Sequence, residues 1–416
     1  MMEIFHTRCS GLDVHKSSIT ACVRVHDSGG KLRKIVRRFS AMTNDLRSMA
    51  SWLSEEGVTH VAMESTGVYW KPVWNILEGH FTLVLANAQH VKNVPGRKTD
   101  TKDSEWLAEL LQHGLLAGSF VPPLLIRDLR DLTRTRATLT QESSRIASRI
   151  QKVLEDANIK LASVASDALG KSGQAMLAAL IAGQSDPGQL ADLALGTLRG
   201  KIPQLRRALD GLIRDHHRFL LKRLLVQWRF VEDETELIDQ RLEQIGKEEP
   251  GLAEAVNRWD TVPGVDRIAA WGLVAEMGIN MEQFPSAKHA ASWGGVCPGN
   301  HESAGKRLGG RTRKGNPWLR RILGQSAWSA ARTKNTYVAV QFRRLAAKRG
   351  RKRAIVAIGH SLLVTGYYLL RKQCLYHDLG ADYFDRINAE GLKRYLVKRL
   401  ESLGQKVTLE PRETAA

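Results

Sequence analysis

The sequence predicts three parts: an α/β domain at the N-terminus, a long helical or coiled-coil middle, and a mainly α C-terminal part containing a helix-hairpin-helix-like element. Three observations predict it. Strand and helix patterns alternate through the first hundred residues, the mark of a sheet with mixed pairing flanked by helices. Two long stretches then keep apolar residues at three- and four-residue spacing, as helices with one apolar stripe do. Finally, a helical pattern, a Pro-Gly turn and a second helical pattern follow one another after residue 250. With 416 residues the chain exceeds a single ordinary core, and the composition shifts place boundaries at 1–125, 126–250 and 251–416.

In the first part, Ser10 to Val25 gives a strand, a turn at His15-Lys16-Ser17-Ser18 and a second strand; Lys34 to Phe39 gives a third. Thr43, Asn44 or Asp45 is placed to cap a helix whose core face carries Leu46, Met49, Trp52 and Leu53. Val58 to Met63 is a short buried strand ending in Glu64, followed by a helix around Val73, Trp74 and Leu77 and a strand from Phe81 to Ala86. Thr99 to Leu111 reads as a helix with Leu107, Leu110 and Leu111 inward, and Pro122-Pro123 closes the unit.

Ile126 to Ile159 is a proline-free helical stretch, and Pro203 to Gly246 is a second; together they read as an antiparallel hairpin or as a plain helical domain. Between them the chain is rich in small residues and is expected to break at Gly173, Gly183 and Pro187-Gly188. The last part opens with helix, Val262-Pro-Gly-Val265, helix. That turn offers backbone N–H groups near Gly264 to a DNA phosphate, or is an ordinary corner between helices. Asn316-Pro317 caps a helix with Trp318, Leu319, Ile322 and Leu323 inward, while Arg320 and Arg321 face solvent or phosphate. Ala354 to Leu370 reads as a buried helix, and Tyr383 to Leu403 as an amphipathic charged one.

A formal charge of +19 and a pI near 9.9 point to nucleic acid as the partner, with an anionic membrane surface as the alternative. Cys9, Cys22, Cys297 and Cys374 lie far apart without zinc-type spacing, which suits a reducing cytosol. The segment MMEIFHTRCS has no apolar core of the signal-peptide kind, so a cytoplasmic protein away from the membrane is expected.

Two stretches carry candidate chemistry. From Ser303 to Arg353 there are sixteen basic residues and no acidic one. Ser303 precedes Lys306, Arg307, Arg311, Arg313 and Lys314 among glycines that let a backbone approach a polyanion. Its hydroxyl is either a nucleophile for phosphate or one more phosphate contact. The second stretch is a set of carboxylates: Asp13 in an apolar strand, Glu64 at a strand end, and Asp100 and Asp103 on one face of a helix start. Strand ends and helix starts gather at one edge of such a sheet, where Mg²⁺ would relieve the repulsion and polarise a phosphodiester. Asp103 and Glu105 equally complement a helix dipole.

These residues resemble a known family. Gly11-Leu-Asp-Val-His-Lys16, Met63-Glu-Ser-Thr-Gly-Val-Tyr-Trp70 and Lys98-Thr-Asp-Thr-Lys-Asp103 are similar to the three blocks of the DEDD-type insertion-sequence transposases, the IS-one-ten family. Val262-Pro-Gly-Val265, Trp293-Gly-Gly-Val296, Ser303-Ala-Gly305 and Arg313-Lys-Gly-Asn316 extend the likeness, which covers about residues 10–125 and 255–405. The resemblance implies a RuvC-like domain of RNase H type, a coiled-coil region and a transposase domain. It implies that Asp13, Glu64, Asp100 and Asp103 bind Mg²⁺ and that Ser303 attacks DNA to form a phosphoserine link. It further implies a tetramer acting on donor and target DNA under the guidance of a non-coding bridge RNA. No nucleoside-triphosphate loop of Walker type is present, in keeping with an exchange that conserves the phosphodiester. The rivals are a two-metal nuclease of the Holliday-junction type, in which Ser303 only contacts phosphate, and a non-catalytic nucleic-acid-binding protein.

Overall fold

The computed structural model describes residues 3–26, 31–65, 67–86, 103–299, 301–303, 306–310, 312 and 315–410, with backbone alone for 301–303 and 306–309. Contacts divide the chain into two compact units, Met1–Pro122 and Pro123–Ala416.

In the first unit, β1 (Arg8–Val14), β2 (Ser18–His26) and β3 (Leu32–Ser40) form an antiparallel meander. β4 (His60–Glu64) lies parallel to β1 on its other side, and β5 (Thr82–Ala86) parallel to β4. The short β6 (Gly118–Ser119), not legible in the sequence, closes the edge, giving the order β3-β2-β1-β4-β5-β6. This mixed α/β sheet is consistent with the RuvC-like arrangement that the resemblance implies.

Helix α1 (Thr43–Glu55) buries the four expected residues, Leu46, Met49, Trp52 and Leu53. Its start differs from expectation. Met42 occupies the cap position and no side chain caps the helix; Thr43 and Asn44 are already inside it. Ser40 Oγ accepts from the Met42 N–H instead, at 3.2 Å. Leu12, Ile19, Met63, Val73 and Leu77 fill the core on this face with α1 and α2 (Trp70–Leu77). The opposite face is covered by α3 (Asp103–Gln112).

The second unit begins with α4 (Leu124–Asp156). The expected second long helix is divided into α6 (Ile202–Leu209) and α7 (Asp215–Glu248). Gly211 is the reason for the break: a Cβ there would lie 2.6 Å from the Ala157 carbonyl, to which the Leu212 N–H also donates. The chain end of α4 thus pins the turn into α7. Arg136 with Asp239, Ser143 with Glu232, and Asp156 with His217 pair descending numbers against ascending ones, so α4 and α7 are antiparallel. Gly183, at φ 106°, ends α5 (Lys171–Ile181) as expected. Gly173 does not break that helix; it lets it close on the Ala168 carbonyl. Pro187 likewise opens a short helix, Pro187–Asp192, capped by Asp186.

Two apolar cores result. One fills the distal part of the hairpin around Ile150, Leu177 and Leu221. The other joins the hairpin's base, through Ile126, Leu129, Leu242 and Ile245, to α8 (Pro250–Asp260) and α9 (Arg267–Met277). The same core holds α10 (Ala287–Trp293), α11 (Pro317–Arg332), α12 (Tyr337–Arg349) and α13 (Arg351–Lys372). Length and composition would let α13 cross a membrane, but Ile358, Leu362, Leu363 and Tyr367 are packed in this core. The C-terminal helix is interrupted at Asn388 into α14 (Tyr383–Ile387) and α15 (Ala389–Glu401), neither with a buried residue.

Two glycines with opposite surroundings test this packing. Alanine normally stabilises a helix over glycine by about 1 kcal/mol. Gly324 in α11 has open space around it, so Gly324→Ala should raise the thermal midpoint. On Gly366 in α13 a Cβ would lie 1.8 Å from the buried Trp259 ring, so Gly366→Ala should lower stability by about 2 kcal/mol or more. Thermal unfolding of both variants reads the difference in sign.

Candidate nucleic-acid processing site

The acidic edge of the first unit is built by a close approach. A Cβ on Gly11 would lie 2.3 Å from Ala108 N and 2.4 Å from Ser104 O, so α3 rests directly on the β1 backbone. Cys9, two residues earlier, donates its thiol to Ala108 O at 3.5 Å. From Cys9 to Gly11 the contacts on α3 therefore shift from Ala108 toward Ser104. Asp13 shares this face by strand alternation and continues the progression toward the helix start, where Asp103 is the first residue. In the parallel register Gly11 is level with Ala62 and Leu12 with Met63, which brings Asp13 level with Glu64. Ala62 packs with Cys9 and Leu111 on the α3 side, so Glu64, two residues on, faces that side too.

Asp13 and Glu64 thus share one end of one sheet face, and Asp103 begins the helix that lies on that face. The neighbouring acids have other duties: Glu105 pairs with Lys34 at 2.8 Å and Glu109 with Arg24 at 3.7 Å, holding α3 to β2 and β3. Asp13 accepts from His15 Nε2 at 3.1 Å, and among the described residues no Lys or Arg pairs with it or with Asp103. Asp100 lies outside the described residues, and among those described no three His, Cys, Asp or Glu side chains already group closely enough to hold an ion. The donors are all oxygen, which suits a hard divalent cation rather than zinc. Burial pushes the thiols of Cys9 and Cys22 up to about 12 and about 11, so neither offers a thiolate on this face at neutral pH.

The basic glycine-rich stretch of the second unit is a β-hairpin rather than an irregular loop. β7 (His301–Ser303) pairs antiparallel with β8 (Lys306–Gly309), placing Ser303 opposite Lys306 and Glu302 opposite Arg307. Ser303 is therefore the last strand residue before the tip. A bridge from Pro298 to Thr312 closes the base. Beyond it, a Cβ on Gly315 would lie 2.6 Å from Gly295 Cα, so the two segments cross backbone to backbone. Asn316 Oδ1 then accepts from the N–H groups of Trp318 and Leu319 and caps α11 as expected.

The residue that fixes this base was not found from the sequence. Glu276, 1% exposed, accepts from Asn316 Nδ2 at 2.5 Å and forms a two-point pair with Arg134 at 2.7 and 2.8 Å. Arg130 donates to the Ala275 and Glu276 carbonyls at the end of α9. A lone carboxylate inside the apolar run Arg267–Met277 was the available signal, by the logic that singled out Asp13.

Arg320 is exposed and Arg321 is half-buried beside a cavity of about 590 Å³ whose walls include Arg134, Arg136, Trp318 and Ser326. Gly264 also lines it. Its φ is 84°, and a Cβ there would meet Ala330 N at 2.2 Å, so the turn is pressed onto α11. Arg311, Arg313 and Lys314 lie outside the described residues; Lys306 and Arg307 are located by backbone on β8. Arg343, Arg344, Lys348, Arg349, Arg351, Lys352 and Arg353 form a further exposed basic band where α12 meets α13.

A transposase family model of the DEDD type and IS110 group matches residues 10–159, which contain the acidic edge. A second, described as transposase of the IS116/IS110/IS902 family, matches residues 256–342, which contain the hairpin. The chain carries IS110-family transposase domains. No curated protein matches it. DNA is accordingly the substrate that these domains imply, and DNA processing their activity.

Removing Glu276 leaves Arg130 and Arg134 without their buried counter-charge, which typically costs about 3–5 kcal/mol. Glu276→Ala should lower the unfolding free energy obtained from denaturant titration by that amount, whereas Glu254→Ala, removing an exposed pair with Arg258, should cost under about 1 kcal/mol.

Proposed function

We propose that this transposase is a recombinase that exchanges DNA strands through a covalent link to Ser303, with a divalent cation held by Asp13, Glu64, Asp100 and Asp103. The observation that carries the reading is that Asp13 and Glu64 lie level at the ends of adjacent strands, on the sheet face covered by α3, which Asp103 begins. The location of Ser303 at the tip end of a clamped hairpin supports the second half.

When bound, Mg²⁺ would supply charge to the phosphodiester and lower the cost of the negative charge that develops there. The chain's own residues do the rest. Ser303 Oγ loses its proton and forms a bond to phosphorus as one phosphorus–deoxyribose oxygen bond breaks. The released sugar oxygen takes up a proton, so one phosphodiester replaces another and no nucleotide hydrolysis is required. Lys306, opposite Ser303 across the hairpin, and Arg307 add positive charge near the transferring group. Arg311, Arg313, Lys314, Arg320, Arg321 and the turn at Gly264 hold nucleic-acid backbone.

The proposal extends to a bridge RNA that pairs with donor and target DNA, and to a tetramer as the working assembly. A protein that delegates sequence reading to base pairing needs only to grip backbones, which fits the broad basicity of residues 303–353.

The test is a covalent-adduct assay with labelled donor DNA and Mg²⁺. Wild type should form a protein–DNA adduct that Ser303→Ala and removal of the cation by EDTA abolish; Asp13→Asn should reduce it at least about 100-fold. An undiminished adduct in Ser303→Ala would overturn the serine assignment. Free phosphate ends with no adduct would favour the two-metal nuclease, an unaltered adduct in Asp13→Asn would overturn the assignment of Asp13 to the cation, and DNA binding without any strand cleavage in wild type would leave only a binding protein.

A further inference from the structure

Helix α7 (Asp215–Glu248) is apolar on two opposite faces. Leu221, Leu225, Val231, Leu242 and Ile245 are buried against the rest of the second unit. Phe219, Val226, Phe230 and Leu237 are 63%, 56%, 61% and 56% exposed. At about 100° per residue these four fall within about 40° of one another, opposite the face that meets α4, and the stripe runs about 27 Å. Isolated exposed apolar residues need no explanation; four aligned over five helical turns do.

The stripe has an internal symmetry. Reversed about Trp228, Phe219 falls opposite Leu237 and Val226 opposite Phe230. The flanking charges follow. Lys222 and Asp233 lie along one flank of the stripe, Arg223 and Glu234 along the other. In an antiparallel pair of identical helices each flank meets the same flank of its neighbour. Lys222 would then face Asp233 of a second copy, and Arg223 would face Glu234. Among the described residues none of these four is in an ion pair within its own chain. A parallel pairing would instead bring opposite flanks together and set Lys222 against Arg223 and Asp233 against Glu234, like charge against like. The pattern is that of an isologous two-fold interface, where each residue's partner contacts it in return.

We infer that the outer face of α7 binds the same face of a second copy of this chain, antiparallel and centred near Trp228, with Lys222–Asp233 and Arg223–Glu234 pairs across the two-fold axis.

Two measurements on the full-length protein test it. In a Cys374→Ser background, the double variant Phe219→Cys with Leu237→Cys should give a disulfide-linked dimer on mild oxidation, and either single variant should not. Crosslinking in the single variants would establish parallel pairing, and none in any variant would exclude this face; both overturn the inference. By sedimentation at low salt, Lys222→Glu with Arg223→Glu should raise the dissociation constant of the dimer at least tenfold. Adding Asp233→Lys and Glu234→Lys should restore it. A reversal without effect, or one that the complementary changes fail to rescue while helicity is retained, contradicts the proposal.

Discussion

Helix α3 can lie on β1 only because residue 11 has no side chain. With backbone atoms of Ser104 and Ala108 within 2.4 Å of where a Cβ would project, any larger residue lifts the helix from the sheet. That approach aligns the start of α3 with the end of β1, and the parallel register of β4 adds Glu64 at the same level. The strands and helix thus place Asp13, Glu64 and Asp103 toward the same end of the sheet. Lys34 and Arg24 then hold α3 in place through Glu105 and Glu109, leaving the acids at the helix start to other partners.

The second unit uses the same device. Gly315 crosses Gly294 and Gly295 without side chains between them, and Gly264 lies on the α11 backbone. Glycine here supplies closeness rather than flexibility, although Gly264 and Gly295 also need their positive φ. The hairpin that carries Ser303 therefore projects from a rigid base whose polar anchor, Glu276, is tied to α4 through Arg134. A buried charge of this kind adds little net stability compared with apolar packing, but its directional bonds define one arrangement of Asn316 and the chain before it.

Much of this was legible in the sequence. The periodicity at Leu46, Met49, Trp52 and Leu53 located α1 and its buried face, because helical spacing is a local property. The antiparallel hairpin of α4 and α7 was legible for the same reason, and Asn316 was recognisable as a cap. The break at Gly211 was not, since it arises from contact with Ala157, more than fifty residues away. Neither was the β7–β8 pairing, which a glycine-rich basic run conceals behind loop-like composition. In the candidate site, the places of Asp13, Glu64, Asp100 and Asp103 at strand and helix ends single them out in the sequence; the parallel register brings Asp13 level with Glu64, Asp103 begins α3, and Asp100 lies outside the described residues. Glu276 escaped because its partners, Arg134 and Asn316, are distant in sequence.

In the proposed function, closeness at Gly11 is what assembles the cation site. Mn²⁺ binding to the full-length protein with a DNA duplex, followed by electron paramagnetic resonance, tests it most directly. Wild type should bind the ion, and Gly11→Ala should weaken binding at least about tenfold, or about 1.4 kcal/mol, with the second unit still folded. Equal affinity in Gly11→Ala would contradict the account, because the carboxylates would then bind without the contact held to assemble them.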